Sequence, residues 1–304
     1  MAISRTQLVK ELEPGLNALF GLEYKRYENQ HAEIYTTESS DRAFEEEVML
    51  SGFANAQVKA EGQGVSFDHA QETYTARYTH DTIALAFAIT EEAIEDNLYD
   101  RIASRYTKAL ARSMSNAKQV KAVTPLNNGL PSVDTFDSGD AVSLFSTNHT
   151  TISGTAVKNT LTTQADLNET SLEQGLIDIA GMTDERGLRV AARGVKMIIP
   201  SANQFNAERL MKSQGRTGTA DNDINAVASM GMVPQGYRVN NFLTDTDSWY
   251  IITDVPNGMK MFQRAALKTA MEGDFDTGNV RYKARERYSF GVSDYRGIFG
   301  VEGA

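Results

Sequence analysis

Hydrophobic and polar positions follow a helical period over one unusually long stretch, residues 90–124. Apolar or small residues recur there every three or four positions, the spacing of one helix face over about nine turns. They are Ile94, Leu98, Ile102, Tyr106, Ala109, Leu110, Met114, Ala117 and Val120. Thr90 is a suitable N-cap, and Pro125 ends the pattern. At about 1.5 Å per residue, the stretch predicts a helix of roughly 50 Å, which we interpret as a spine for the other segments.

Ahead of the spine the pattern changes to a strand period. Residues 83–89 place Ile, Leu, Phe and Ile on one face and three alanines on the other. Residues 73–80 alternate with a mixed surface, and Val65 with Phe67 makes a weaker third run. Together they predict a long, polar hairpin over 48–89 with too little apolar area for a core of its own. Since an isolated hairpin is only marginally stable in water, this one must pack against another surface.

The beginning of the chain contains a moderately amphipathic segment, Thr6 to Tyr27, which is interrupted by Pro14-Gly15. Residues 16–22 are too apolar for a solvated tail. Two interpretations stay open: a terminal arm that packs outside its own core, or a short helix tucked under the same domain.

After the spine, residues 127–165 are rich in Ser, Thr, Gly and Asp and predict a long connection with one short strand at 141–145. From Ser171 onwards helical and strand periods alternate. They predict helices at 172–182 and 201–213 and strands at 195–199, 237–239, 249–252 and 260–262. This is one mixed domain of about 100 residues, a normal size.

The tail, residues 280–299, alternates again. Its apolar face carries Val280, Tyr282, Ala284, Tyr288 and Phe290, and its opposite face carries Arg281, Lys283, Arg285 and Arg287. Glu286 breaks the apolar face. Four like charges on one strand face repel each other unless water, acids or phosphate screen them.

Composition removes several classes of function. Among 304 residues there is no cysteine, so disulfide scaffolds, thiolate catalysis and cysteine-rich zinc sites are excluded. No signal peptide or run of 18 apolar residues is present, and the glycosylation sequons at Asn148 and Asn168 are interpreted as chance matches. The net charge of −10 is the wrong sign for a protein that grips nucleic acid. A chain of this length forms two domains or one extended subunit.

No pattern of catalytic or ligand residues is convincing. The adjacent carboxylates at 91–92 and 45–47 do not face each other on a helix. The four histidines, His31, His69, His80 and His149, lack metal-ligand spacing. The segment from Asp221 begins like a calcium loop, but Ala226 and Met232 stand at two required positions. We therefore expect no enzyme activity, cofactor or bound metal.

The order of arm, polar hairpin, spine, mixed domain and final strand resembles the major capsid protein of tailed bacteriophages, the Hong Kong 97-like fold. Several stretches are similar to the major head subunits of Mu-like phages: residues 14–21, 88–97, 219–225 and 279–291. The resemblance implies an α+β fold. Its parts would be an N-arm at 1–47, an extended E-loop at 48–89, a P-domain at 90–139 and 266–304 with the spine at 90–124, and an A-domain at 140–265.

The same resemblance implies a structural protein that self-assembles into hexamers and pentamers of an icosahedral head. The head would enclose double-stranded DNA without sequence-specific binding, and it would be assembled in the host bacterial cytoplasm. Portal and scaffold proteins are the implied partners, with a decoration protein as an optional one, and no membrane is involved. The scaffold would be a separate protein, since little chain precedes the arm.

Candidate inter-subunit contacts follow from the arm, the hairpin and the basic strand face. They are Leu19, Phe20, Glu45, Glu46, Glu47, Lys59, Arg77, Arg281, Lys283, Arg285 and Arg287. The four cations of the tail would meet acids of an adjacent subunit, such as 45–47 or the start of the spine. Some family members cross-link a loop lysine to a neighbour, and Lys59 is the only lysine of this loop, although a lone loop lysine is usually just solvated.

Two other functions stay open. A bacterial encapsulin-type shell that stores an enzyme cargo would keep the fold and change the contents. A soluble α/β hydrolase or binding domain with an inserted hairpin would change the class of protein.

Overall fold

The computed structural model describes residues 5–90, 92–93, 99–133, 135–215, 223–274 and 278–304. The first half contains α1 (Arg5–Arg26), β1 (Thr36–Ser39), β2 (Phe44–Leu50), β3 (Glu72–Thr79), β4 (Asp81–Ile89) and α2 (Tyr99–Asn128), with a 3-10 turn at Gln30–Glu33. The middle contains β5 (His149–Thr150), β6 (Ala156–Val157), α3 (Glu169–Gly181), β7 (Gly194–Ile199), α4 (Gln204–Lys212), α5 (Ala226–Met230) and β8 (Tyr237–Val239). The last part contains β9 (Trp249–Thr253), β10 (Met259–Gly273), β11 (Val280–Val292) and β12 (Ile298–Val301).

One sheet has the strand order β1-β10-β11-β4, and helices α1 and α2 cover one of its faces. The β11 pattern explains this placement, because its apolar residues point toward the helices and its cations point away. Phe20 of α1, Leu110 and Met114 of α2, and Tyr282 of β11 are buried together. Burying each such side chain contributes about 1.5–3 kcal/mol.

A second sheet has the order β12-β9-β7-β8 and forms the larger core with α3. Trp249 and Tyr250 of β9 are completely buried. Helix α3 begins at a capping box, in which the Asn168 side chain accepts from the Ser171 amide and the Ser171 side chain accepts from the Asn168 amide. The predicted helix at 172–182 and the strands at 195–199, 237–239 and 249–252 are confirmed within a few residues. The region predicted as a helix at 201–213 is a 3-10 turn, Ser201–Asn203, followed by α4.

The hairpin predicted over 48–89 is divided between two structures. Strands β2 and β3 pair with each other, whereas β4 pairs with β11 in the first sheet. The prediction of a third strand at Val65 and Phe67 is wrong, because residues 51–71 contain no strand. Two apolar positions are too few to form a ladder without a partner strand.

The spine continues beyond its predicted end. Helix α2 includes Pro125 and reaches Asn128. Pro125 deprives only the carbonyl of Lys121 of a helical donor, and the Gly129 amide still donates to the carbonyl of Pro125. At the other end the Ala93 amide donates to the Thr90 hydroxyl at 3.4 Å, while residues 91 and 94–98 of the predicted spine lie outside the described residues.

Two further helix and strand predictions were wrong. Helix α1 runs through Pro14 without interruption. Residues 141–145 form no strand, although Ser143 makes an isolated bridge with Asp137. Leu144 and Phe145 are instead completely buried in the larger core, so this part of the long connection is held in place by that core.

The chain crosses between the two sheets more often than expected. The domain boundary expected at residue 265 falls inside β10, and β12, expected to return to the spine region, pairs with β9. Just before these two strands, Gly258 and Gly297 bring their backbones together. A Cβ on Gly258 would lie 2.7 Å from the Cα of Gly297. None of the helices in the described part of the chain is long and apolar enough to cross a bilayer.

Candidate assembly surfaces

The base of the β2–β3 hairpin is anchored to its own subunit. Tyr78 packs edge-on against Phe262 with ring centroids 4.8 Å apart. The Tyr78 and Ser293 hydroxyls lie 2.5 Å apart, and because Ser293 donates to the carboxylate of Glu47, we assign Tyr78 as the donor to Ser293. Glu47 also accepts from Lys260 at 2.5 Å. Burial lowers the pKa of Lys260, but its bonds to Glu47 and Glu38 outweigh burial and raise it.

The loop that joins β2 and β3, residues 51–71, is the least covered part of the described chain; we call it the hairpin loop. From residue 52 to residue 71 every side chain is exposed. Its large apolar members are Phe53, Val58, Val65 and Phe67, of which Val58 is 98% exposed and Phe67 92%. Hydrogen bonds order its ends: among them, the Ala54 amide donates to Asp68 at 2.7 Å, and Arg186 donates to the carbonyl of His69 at 2.6 Å.

The cations of the tail lie on the outer face of the first sheet, as predicted. Arg281, Lys283 and Arg285 are exposed, and the structure adds Lys268, which lies opposite Arg285 on β10. We call these four residues the basic face. Arg281 pairs with Asp274 at 2.5 Å. Among the residues that the structure describes, no ion pair includes any of the other three.

The fourth cation of the tail differs from the other three. Arg287 is half-buried, and its Nε donates to the carbonyl of His80 at 3.5 Å. The tail therefore offers three exposed cations rather than four.

The acids expected to meet these cations in an adjacent subunit already have partners in their own chain. Glu45 accepts from Ser40 at 2.6 Å, and Glu47 is held at the hairpin base. Glu46 lies 3.7 Å from Arg77, its cross-strand neighbour, whose guanidinium also lies over the Phe44 ring at 4.1 Å. Of the three, Glu46 remains the most exposed.

The N-terminal arm is tucked under its own domain, the second of the two open interpretations. Phe20 is only 2% exposed and packs against Tyr24 and Tyr282, with ring centroids 6.0 and 6.5 Å apart. Asn17 accepts hydrogen bonds from Thr269 and Tyr282. Leu19 is half-buried, so the site predicted at 19–20 lies mostly within the subunit.

A charged pair that the pattern did not reveal lies beneath the arm. Glu286, 1% exposed, accepts from the Nζ of Lys118 at 3.3 Å. Burial raises the pKa of Glu286, while Lys118 and a hydrogen bond from Tyr24 oppose that rise. The break in the apolar face of β11 is thus matched by a lysine on the buried face of α2. Charge complementarity between the two segments was the available signal, but nothing in the sequence sets their register.

Three of the four histidines, His31, His80 and His149, are buried in the subunit. His80 lies between the hydroxyls of Ser40 and Ser289, each at 2.9 Å. His149 is completely buried 2.7 Å from Asp140, a pairing that sequence spacing did not suggest. In the described part of the chain, no group of His, Asp and Glu side chains has the geometry to hold a metal ion.

Comparison with families of known proteins gives one clear match. The model of a family described as phage capsid protein matches residues 73–301, most of the chain. A comparison with curated protein sequences finds no match.

Solved structures agree with that family. The chain is similar to the procapsid protein of bacteriophage JBD30, with a TM-score of 0.55 at 13% identity over 99% of this chain and 77% of that one. It is similar to the capsid protein of Myoviridae phage XM1, with a TM-score of 0.51 at 11% identity over 89% of each chain. A virus-like particle from Pyrococcus furiosus gives a TM-score of 0.51 at 10% identity over 94% of this chain and 98% of that one. These similarities confirm the Hong Kong 97-like capsid fold.

Proposed function

Because the chain belongs to the phage capsid protein family, we propose that its copies assemble as hexamers and pentamers of an icosahedral head enclosing double-stranded DNA. The protein is a structural major capsid protein. We further propose that the chain is related to the major head subunits of Mu-like phages, on the basis of the sequence stretches given above. Assembly takes place in the host cytoplasm, with a portal and a separate scaffold as partners and a decoration protein as an optional one.

The hairpin loop is the observation that carries this proposal. Monomeric soluble proteins rarely leave contiguous apolar patches uncovered, yet Phe53, Val58, Val65 and Phe67 all lie in one exposed loop. The base is anchored, and in the described part of the chain the side chains of residues 52–71 are all left exposed. A neighbouring copy covers them in a shell.

The basic face is the second proposed contact. Lys283 and Arg285 lie on one strand face without a described ion-pair partner, and Lys268 lies beside them. Carboxylates of an adjacent copy would relieve this repulsion. Because Glu45 and Glu47 are already engaged in their own subunit, the acids are Glu46, the most exposed of the three, or carboxylates elsewhere on the neighbour.

Covalent cross-linking through Lys59 is a separate question with a simple test. Lys59 is exposed in the hairpin loop. If assembled particles give only monomer bands on a denaturing gel, the lysine is merely solvated. Bands of higher mass that disappear in Lys59→Arg would assign it a cross-linking role.

A shell that stores an enzyme cargo is the second candidate function. It is supported by the similarity to the virus-like particle of Pyrococcus furiosus, which extends over 98% of that chain. The two candidates predict the same fold and the same exposed loop. They differ in particle size, in the presence of a portal vertex and in contents.

Electron microscopy of the purified protein, expressed with and without its scaffold and portal, tests the proposal. We expect closed particles with one unique vertex and nuclease-protected DNA in those from infected or induced cells. Particles without a portal vertex that hold a co-purifying enzyme would favour the second candidate. A protein that stays monomeric at high concentration under all these conditions would contradict both.

A further inference from the structure

Strand β4 gives the first sheet an unusually long free edge. Among the strands that the structure describes, the opposite edge strand β1 has four residues, and the edges of the second sheet, β12 and β8, have four and three. Strand β4 has nine. Proteins commonly keep edge strands short because a long row of unpaired backbone groups accepts another strand.

Apart from the charged Asp81 at its start, β4 lacks the usual side-chain protections against such pairing. Its sequence, DTIALAFAI, contains no Pro, Lys or Arg, and its ladder with β11 has no register shift. The edge strand β2, by contrast, carries three glutamates and a register shift after Val48. The outer side of β3 is approached by a turn, since a Cβ on Gly139 would lie 3.4 Å from the Cα of Ala76. In the described part of the chain, β11 is the only strand that pairs with β4.

The two faces of β4 differ in chemistry. The inner face carries Ile83, Leu85 and Phe87, and Leu85 is 46% exposed. The outer face carries Ala84, Ala86 and Ala88, which lie opposite Arg285, Lys283 and Arg281 of β11. Since strands are about 4.8 Å apart, the long cationic side chains of β11 can reach across the short alanines to the next strand. An added strand would therefore meet an apolar edge on one face and cations on the other.

Residues 65–68 of the hairpin loop carry the matching pattern. Val65 and Phe67 alternate with Ser66 and Asp68, so an extended backbone separates the apolar pair from the acid. The amides of Ala54 and His69 donate to the Asp68 carboxylate and lower its pKa, which keeps it charged. Val65 is 70% exposed and Phe67 92%, so their own chain leaves both side chains largely uncovered.

We propose that the free edge of β4 accepts residues 65–68 of a second copy as an additional strand. Val65 and Phe67 of that copy then cover the Leu85 side, and Asp68 faces the basic face. A one-residue slip would place the phenylalanine among the cations and the acid on the apolar side, so the register is strongly specified. The inference rests on the proposed shell function and adds the landing point and the mode of pairing.

Pairing of two β4 edges with each other is the alternative for this surface. It would bring two basic faces toward one another at about three strand spacings, roughly 14 Å. Like charges oppose that arrangement, whereas the hairpin loop brings an acid to the same place. The observations therefore favour the loop.

Disulfide trapping tests the inference directly, because the chain has no cysteine of its own. Ser66→Cys is combined in turn with Ala84→Cys, Ala86→Cys and Ala88→Cys, and oxidised particles are run on a non-reducing gel. A disulfide requires Cα atoms within about 7 Å, so we expect one or two of these pairs to give covalent ladders. Ser66→Cys with Leu85→Cys, on the opposite face of the same strand, is the first control, and Ser66→Cys with Ala270→Cys, on β10, is the second. Neither control should form ladders.

A charge substitution provides a second measurement. Ala86 and Ala270 both lie opposite Lys283, on its two sides, and both are exposed. In each position a glutamate gains the same lysine as a neighbour, but only Ala86→Glu puts a negative charge where Asp68 arrives. We expect about a tenfold lower particle yield for Ala86→Glu, equivalent to about 1.4 kcal/mol, and a yield within about twofold of the parent for Ala270→Glu.

The outcomes separate this inference from the proposed function. Particles that form normally but give no ladder from any of the three outer pairs overturn the strand addition and leave the shell intact. Equal ladders from Ala270→Cys, or equal yields from the two glutamate variants, also overturn it. If the parent protein forms no particles at all, the shell proposal fails first.

Discussion

The N-terminal arm and the hairpin loop have similar apolar content, but the folded subunit treats them in opposite ways. Helix α1 lays Leu16 and Phe20 against α2 and β11, and both side chains are buried. The hairpin loop leaves Val58 and Phe67 almost completely exposed. The difference lies in the availability of a partner, since the arm packs in the core formed with α2 and β11, whereas the side chains of residues 52–71 are all exposed. A segment that looks unable to stand alone is thus not necessarily an inter-subunit segment.

The comparison is tested most strongly by removing one large side chain from each region. Phe20→Ala should lower the free energy of unfolding of the unassembled subunit by about 3–5 kcal/mol, because it leaves a cavity in the core. Phe67→Ala should change that free energy by less than about 0.5 kcal/mol, because the ring contacts only solvent. Urea unfolding followed by circular dichroism measures both. Equal losses in the two variants would mean that the arm and the loop do not differ.

The second prediction uses the pH dependence of the arm's attachment. Burial, followed by the charge of Lys118, lowers the pKa of His31 to about 4. The Gln119 side chain accepts from the His31 amide and donates to its Nδ1, which fixes the neutral ring as an acceptor. The unfolded chain binds a proton below about pH 6.5 and the folded chain only near 4, so stability present above pH 6.5 is lost between those values. The loss attributable to His31 should be about 3 kcal/mol.

Unfolding measured from pH 7.5 to pH 4 checks this expectation. In His31→Asn the amide oxygen can accept from Gln119 without titrating, so the stability of this variant should fall less over the same range. Parallel curves for the parent and the variant would rule out His31 as the source of the dependence.

The third prediction concerns the base of the β2–β3 hairpin, which, unlike the hairpin loop, packs against the rest of its own subunit. Tyr78→Phe removes the donor to Ser293 and should cost about 0.5–1.5 kcal/mol. Ser293→Ala removes the partner instead and leaves the buried Tyr78 hydroxyl unsatisfied, so it should cost more, about 1–3 kcal/mol. Thermal unfolding of the two variants gives the order. A larger cost for Tyr78→Phe would contradict the assigned direction of donation.

The smallest effect is expected in the hairpin loop itself. Amides of residues 52–71 should exchange in the unassembled subunit with an opening free energy near zero, since almost none has a backbone partner. In assembled particles the amides of residues 65–68 should gain protection. Hydrogen exchange with mass spectrometry measures both states, and protection already present in the free subunit would show that the loop is covered before assembly.

Part of the fold could be predicted because its signals are local. The alternation of β11 gave the buried and exposed faces correctly from Val280 to Arg285, but beyond Glu286 both faces are covered. The helix predicted at 172–182 was found as α3, and its cap, Asn168, lies three residues before Ser171. In both cases the side chains that decide the outcome lie within a few positions of each other.

The remaining errors come from partners distant in sequence. Tyr106 and Val120 share the apolar spacing of the spine but are about half exposed, whereas Lys118 is buried because Glu286, 168 residues away, receives it. Leu144 and Phe145 occur in a polar, turn-rich stretch, and their burial depends on the second sheet. For the assembly surfaces, sequence identified the cations of the tail but not Lys268, which joins them only through the β10–β11 register.

The crossing of Gly258 and Gly297 constrains how subunits of this kind can diverge. The hairpin loop and the edge of β4 can each change by substituting side chains that are exposed on the subunit. At this contact even the methyl group of an alanine would push apart the segments that lead into β10 and β12, because backbone atoms already fill the space on both sides. Substitutions that suit new partners are therefore tolerated on the exposed surfaces of the subunit but not at the contact between Gly258 and Gly297.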